Sequence, residues 1–161
     1  MGGFVHCAGY VVNMPVRIFR EEDMKRQMQI HYYAFLKLCR HFYSREVSED
    51  GSSIVAVSSL STLTRRKGSV LYASAKSAVN TAVSVVSKEF LRRSIRVNAV
   101  MPAYVDTPMN DGLGEVTDIS RAQPMGLIPP RAVADTIEFL LSERAKYITG
   151  ALIPISAGME V

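Results

Sequence analysis

The sequence predicts an α/β fold in which a parallel sheet is covered by helices. Three observations carry that expectation. Short apolar, β-branched runs alternate along the chain with long segments of helical periodicity. Several runs are apolar throughout rather than alternating, as strands buried on both faces are. No internal repeat or linker divides the 161 residues, which suffice for one domain with a sizeable core.

The elements follow in order. "GFVHCAG" reads as a buried strand ending in Ala-Gly. Residues 20 to 47 carry Met28, Tyr32, Phe35, Leu36 and Cys39 at spacings of a helix, and Glu21, Glu22 and Asp23 load its start with the charge a helix dipole favours. "EDGSS" is a turn and "SIVAVSS" a second strand. After the loop "RRKGS", residues 70 to 93 form a long helix whose Ala75, Ala78, Val79, Ala82 and Val86 make a smooth face. Arg92 and Arg93 sit at its favourable end. "IRVNAV" is a third strand stopped by Pro102. Residues 103 to 129 form a long segment punctuated by Gly, Met and Pro, a length typical of a lid or binding loop. "PRAVADTIEFLLSER" is an amphipathic helix with Pro130 in its first turn, and "ALIPIS" a last strand.

Composition narrows the function classes. The chain is 48% hydrophobic and 21% charged, and its +4 net charge is spread along the sequence. Arg65, Arg66 and Lys67 form the one dense basic cluster, read as a solvated loop rather than a nucleic-acid surface. Cys7 and Cys39 form no C-x-x-C and have no histidine at metal-ligand spacing, so no metal site is expected, and they read as buried or inert thiols. With no signal-peptide pattern and no apolar stretch approaching the ~20 residues of a membrane span, the expectation is a cytoplasmic protein that contacts no membrane.

The stretch "LYASAK" carries the chemistry. Tyr72 and Lys76 lie four apart, on one face of a helix and one turn from each other. A phenol with pKa near 10 is a poor base at neutral pH, and a nearby ammonium favours its phenolate. The pair therefore suits proton transfer. Ser59 ends the preceding strand, where sites of parallel α/β sheets gather, and can hydrogen-bond a substrate oxygen.

With these residues the chain resembles the short-chain dehydrogenase/reductases, and especially the branch that includes the beta-ketoacyl carrier-protein reductases. "VHCAG" is similar to the family's Asn-Asn-Ala-Gly strand end. Ser59, thirteen residues before Tyr72, and "YASAK" are similar to its Ser-Tyr-Lys triad. "IRVNAVMPAYVDTPM" and "YITGALIPISAG" are similar to its "IRVNxVxPGxVxTxM" and "YITGxxxxVDGG". The resemblance covers the whole chain. It implies an NAD(P)-dependent oxidoreductase, with the choice of NAD or NADP not readable, acting on a small-molecule carbonyl or alcohol. Tyr72 would be the general acid/base, Lys76 would lower its pKa and bind the nicotinamide ribose, and Ser59 would hold the substrate carbonyl. Pro102, Ala103, Val105 and Thr107 would line the nicotinamide, and Ala8 and Gly9 would pack by the cofactor. The helices at 20–47 and 70–93 would build a homo-oligomer.

The chain also departs from the family. No Gly-rich dinucleotide fingerprint is present. The resemblance therefore implies the C-terminal part of a doubly wound Rossmann fold, about four strands with flanking helices, as one incomplete domain over residues 1–161. By the family's layout the first half, roughly eighty residues, would be missing. The strand at residues 3 to 7 would then be an unpaired edge, and the chain alone is expected to bind NAD(P)H weakly and to have little activity. His31 stands 28 residues before Ser59, where the family usually has an asparagine that holds a relay water. A hydrogen-bonding replacement and a merely packed histidine are both open. Ala103 replaces a glycine and Ser156 an aspartate. Asn13, Tyr104, Met109 and Met125 are candidates for substrate contact or ordinary loop packing. A second functional reading is a non-catalytic module that pairs with a full-length relative.

Overall fold

The computed structural model describes residues 1–110, 119 and 121–161. Four strands, β1 (Gly3–His6), β2 (Ser53–Val57), β3 (Arg96–Pro102) and β4 (Leu152–Ile155), pair in chain order, all parallel. Between them run α1 (Glu21–Met28) and α2 (Ala34–Phe42), the short α3 (Ser61–Thr64), the long α4 (Val70–Glu89) and α5 (Pro130–Leu141). Strand and helix alternate as the hydrophobic pattern predicts, and β3 runs through Pro102, which still pairs with Ile155.

The core is two-sided because side chains of a strand point to opposite faces in turn. Ile54, Ala56, Val97 and Ala99 face a cluster with Phe35, Cys39, Phe42, Val79, Val83 and Phe90 from the α1–α2 and α4 side. Val55 and Val100 face the other way, against Val133 and Leu140 of α5. Helices on both faces explain why β2 and β3 are apolar throughout.

Several polar side chains inside this core are paired, as most buried polar groups are. Asn98 donates to the Ile148 carbonyl (2.8 Å) and accepts from the Ala151 amide (3.0 Å), which fixes the approach to β4. Arg96 caps the end of α5, bonding the carbonyls of Leu140 and Ser142 at 2.6 and 3.1 Å. Buried Arg93 ties the turn after α4 to Asp50 (2.7 Å) and to the Tyr43 and Ser48 carbonyls.

Three expectations need correction. The helix expected over 20–47 ends at Phe42 and is broken by a π-type turn at Gln29–Tyr33. The helix expected over 70–93 closes in a 3-10 turn at Phe90–Arg93. Of the thiols expected to be buried or inert, Cys7 is exposed, because it lies beyond the paired end of β1. Cys39 is buried as expected, and burial pushes its thiol up to about 12. No helix among the described residues is long and apolar enough to cross a membrane. Part of the long segment at 103–129, namely 111–118 and 120, lies outside the described residues.

Candidate active site

The carboxyl ends of β2 and β3 create the site. Pairing between these strands continues past Val57: the Ser58 amide bonds the Val100 carbonyl (2.8 Å) and the Leu60 amide bonds that of Pro102 (2.9 Å). Ser59 is thereby held at the sheet's edge, with its Oγ accepting from the Ser61 amide at 3.2 Å. Tyr72 stands in the first turn of α4, half-buried, and lines the same cavity as Ser59, whose side chain acts to lower the phenol's pKa.

Lys76 lies one turn further, buried to 4% exposure. Its Nζ donates to the Val57 carbonyl at 2.7 Å and sits 5.7 Å from the centre of the Tyr72 ring. Burial pulls the ammonium down to about 8, against a small opposing effect of Cys7. The sequence expectation was that Lys76 lowers the Tyr72 pKa. Here burial raises that pKa and the Ser59 side chain opposes it, because the ammonium is turned to a backbone carbonyl rather than to the phenol.

His31 reaches the same place from the π-type turn. Its side chain is fully buried, its ring stands 5.4 Å from that of Tyr72, and its Nε2 lies 3.1 Å from the Tyr10 carbonyl. That bond makes Nε2 the protonated nitrogen and leaves Nδ1 as a buried acceptor with no partner among the described residues. Burial first, then the Lys76 ammonium, holds His31 down to about 4. His6 Nε2 lies 3.2 Å from the His31 carbonyl, and burial lowers its pKa too. Gly9 presses on the imidazole so closely that a Cβ there would collide with its Cε1.

A cavity of about 320 Å³ opens beside this cluster. Ser59 and Tyr72 line it together with Pro102, Ala103, Val105 and Thr107, so the residues expected around a nicotinamide share one wall. Asn13, Tyr104 and Met109 line it as well. Ala8 and Gly9 do not: Ala8 is exposed and Gly9 packs on His31. Met125 is 81% exposed and also off the cavity, a correction to its candidacy for substrate contact, since the turn at Gly126 carries it into solvent. Lys76 and His31 lie behind Tyr72 rather than on the cavity surface. Gln123 was missed by the sequence reading. It is fully buried and clamps both backbone groups of Tyr104, at 2.9 and 3.0 Å. No group of three or more His, Cys, Asp or Glu among the described residues could hold a metal ion.

Comparison with known proteins agrees with this geometry. The protein-family model described as "Enoyl-(Acyl carrier protein) reductase" matches residues 1–160. The chain is 32% identical over 161 residues to a 3-oxoacyl-[acyl-carrier-protein] reductase of Thermotoga maritima, covering 98% of this chain and 65% of that protein. It is 32% identical over 159 residues to the (3R)-3-hydroxyacyl-CoA dehydrogenase of Mus musculus, covering 96% of this chain and 61% of the relative. Landomycin C-6 ketoreductase, solved with bound NADP and rabelomycin, superposes with a TM-score of 0.85 at 29% identity, over 98% of this chain and 61% of that one. The chain thus spans less than two thirds of the length of these relatives.

Proposed function

The chain belongs to the short-chain dehydrogenase/reductase family, and on that premise we propose that it carries the proton-transfer half of an NAD(P)-dependent oxidoreductase acting on a carbonyl/alcohol pair. One observation carries the reading: Ser59 and Tyr72 line one cavity together, with Lys76 and His31 packed against the phenol.

The cavity suits the nicotinamide end of the cofactor. Pro102, Ala103 and Val105 give it an apolar wall, and Thr107 adds a hydroxyl beside them. When bound, the nicotinamide supplies or accepts the hydride. This chain's residues do the rest. Ser59 Oγ–H holds the substrate oxygen and orients it towards Tyr72. The Tyr72 hydroxyl gives a proton to that oxygen in reduction and takes one back in oxidation. Lys76, its ammonium bonded to the Val57 carbonyl, and His31, edge-on to the ring, hold the phenol in place. Exposed apolar side chains on α1, α2 and α4, among them Met24, Leu38 and Val85, support pairing of two copies through these helices.

The test is turnover of NADH or NADPH with a panel of ketones and aldehydes. Tyr72→Phe keeps the ring packing and removes the transferable proton. It should lower kcat by about 10²- to 10⁴-fold while the melting temperature stays within a few degrees. Full activity in Tyr72→Phe would falsify the assignment.

A further inference from the structure

The cavity beside Tyr72 has a cationic wall that proton transfer does not use. Arg66 and Lys67 line it, and no acidic residue among those described does. No ion pair joins either of them to an acidic residue among those described.

Arg66 is exposed, and its side chain and backbone are both held by bonds. Its Nη1 donates to the Tyr104 hydroxyl at 2.6 Å, and its guanidinium carbon sits 5.2 Å from the centre of that ring. Tyr104 is itself fixed by fully buried Gln123. The arginine backbone is pinned as well. Its carbonyl accepts from both the amide (3.1 Å) and the hydroxyl (2.7 Å) of Ser69, and the Gly68 carbonyl between them accepts the Met14 amide at 2.8 Å. A phenol orients a guanidinium without neutralising it, and one bond leaves most of its five donors unspent. Such a fork matches a carboxylate or phosphate.

We propose that the substrate of this site carries an anionic group, a carboxylate or a phosphate, which Arg66 binds in the same cavity where Tyr72 meets the carbonyl, with Lys67 adding charge. This rests on the oxidoreductase reading of Tyr72 and narrows its substrate class.

The test compares matched pairs that differ in charge. Levulinate against methyl levulinate probes the carboxylate source, and dihydroxyacetone phosphate against dihydroxyacetone probes the phosphate source. The charged member of one pair should have the higher kcat/KM, and which pair shows it identifies the source. Arg66→Ala should lower that ratio by on the order of 10-fold, and Arg66→Lys by less. Tyr104→Phe, which keeps the ring and removes the acceptor, should fall between wild type and Arg66→Ala. The ratio should also shrink with added salt. A ratio unchanged by Arg66→Ala overturns the proposal. So does an Arg66→Ala effect confined to the KM of the nicotinamide cofactor, which would assign the arginine to the cofactor's own phosphates. If no pair is turned over, calorimetric titration with levulinate and inorganic phosphate decides. Binding that Arg66→Ala abolishes supports the anion site, and no binding overturns it.

Discussion

The ring of His31 stands edge-on to the ring of Tyr72, with centroids 5.4 Å apart and 79° between their planes. This contact joins the π-type turn to the proposed acid/base. It sets a neutral, fully buried imidazole against the phenol, with the ammonium of Lys76 close to both.

The first prediction concerns acid stability. The folded-state pKa of His31 lies near 4, against an ordinary 6.5. Between these values the unfolded chain binds a proton that the folded chain refuses. Stability is therefore lost as pH falls from 6.5 through about 4, by on the order of 3 kcal/mol for this residue. His6, lowered in the same direction, adds to the loss. Urea titrations should show His31→Asn with a flatter stability profile than wild type between pH 6.5 and 4. A parallel profile would mean that His31 is not the group that titrates.

Much of this site is legible in the sequence, and its gaps have physical causes. Tyr72 and Lys76 declare themselves by spacing, and Ser59 by its place at a strand end. The phase of the first helical segment does not. Buried positions there are Gln27, His31, Phe35 and Cys39, four residues apart, and then Phe42 three further on. A regular helix would rotate that stripe by about 40° at each step, and the wider turn at Gln29–Tyr33 takes up part of the drift. Apolar periodicity could not show this, because Gln27 and His31 are polar. Reading Met28 and Tyr32 as the buried pair put the pattern one residue out before Phe35. Arg66 was hidden for another reason. Its cluster reads as solvated, and only the bond to Tyr104, 38 residues away, brings it into the cavity wall.

Lys76 gives the second prediction. Its folded-state pKa of about 8 lies below its ordinary 10.5 because burial penalises the charge. Below pH 8 that penalty is present in full. It is relieved as pH rises from 8 to 10.5, where the folded chain has already released a proton that the unfolded chain still holds. Lys76→Met removes the charge and keeps the volume. Relative to this variant, wild type should gain on the order of 3 kcal/mol between pH 7 and pH 10.5. Denaturant melts at the two pH values check it, and a constant difference would show that the lysine is not desolvated.

Ser59 supplies the third. Its side chain lowers the Tyr72 pKa against the larger effect of burial. Ser59→Ala deletes that effect, so the phenol should titrate at still higher pH. The alkaline limb of the kcat profile should move upward, and kcat/KM should fall by about 10- to 100-fold through loss of the substrate contact. A loss of rate with the limb in place would separate the serine's hold on substrate from any influence on Tyr72.

Gly9 supplies the last, and it tests packing rather than chemistry. A Cβ at residue 9 would run into Cε1 of His31, with Nδ1 only slightly further at 2.6 Å. The imidazole cannot retreat freely, because its Nε2 is tied to the Tyr10 carbonyl at 3.1 Å and its ring abuts Tyr72. Gly9→Ala should therefore destabilise by about 1–3 kcal/mol, as overpacking does. It should also lower turnover, because relief of the clash displaces the histidine against the phenol. His31→Ala should destabilise by a comparable amount through the opposite fault, a cavity. The two changes compensate: in the double variant the new methyl occupies space the ring has left. The pair should cost less than the sum of the single changes by at least about 1 kcal/mol in a double-mutant cycle. Strict additivity would mean that Gly9 and His31 do not share the contact, and that glycine is needed at residue 9 for some reason other than the ring it faces.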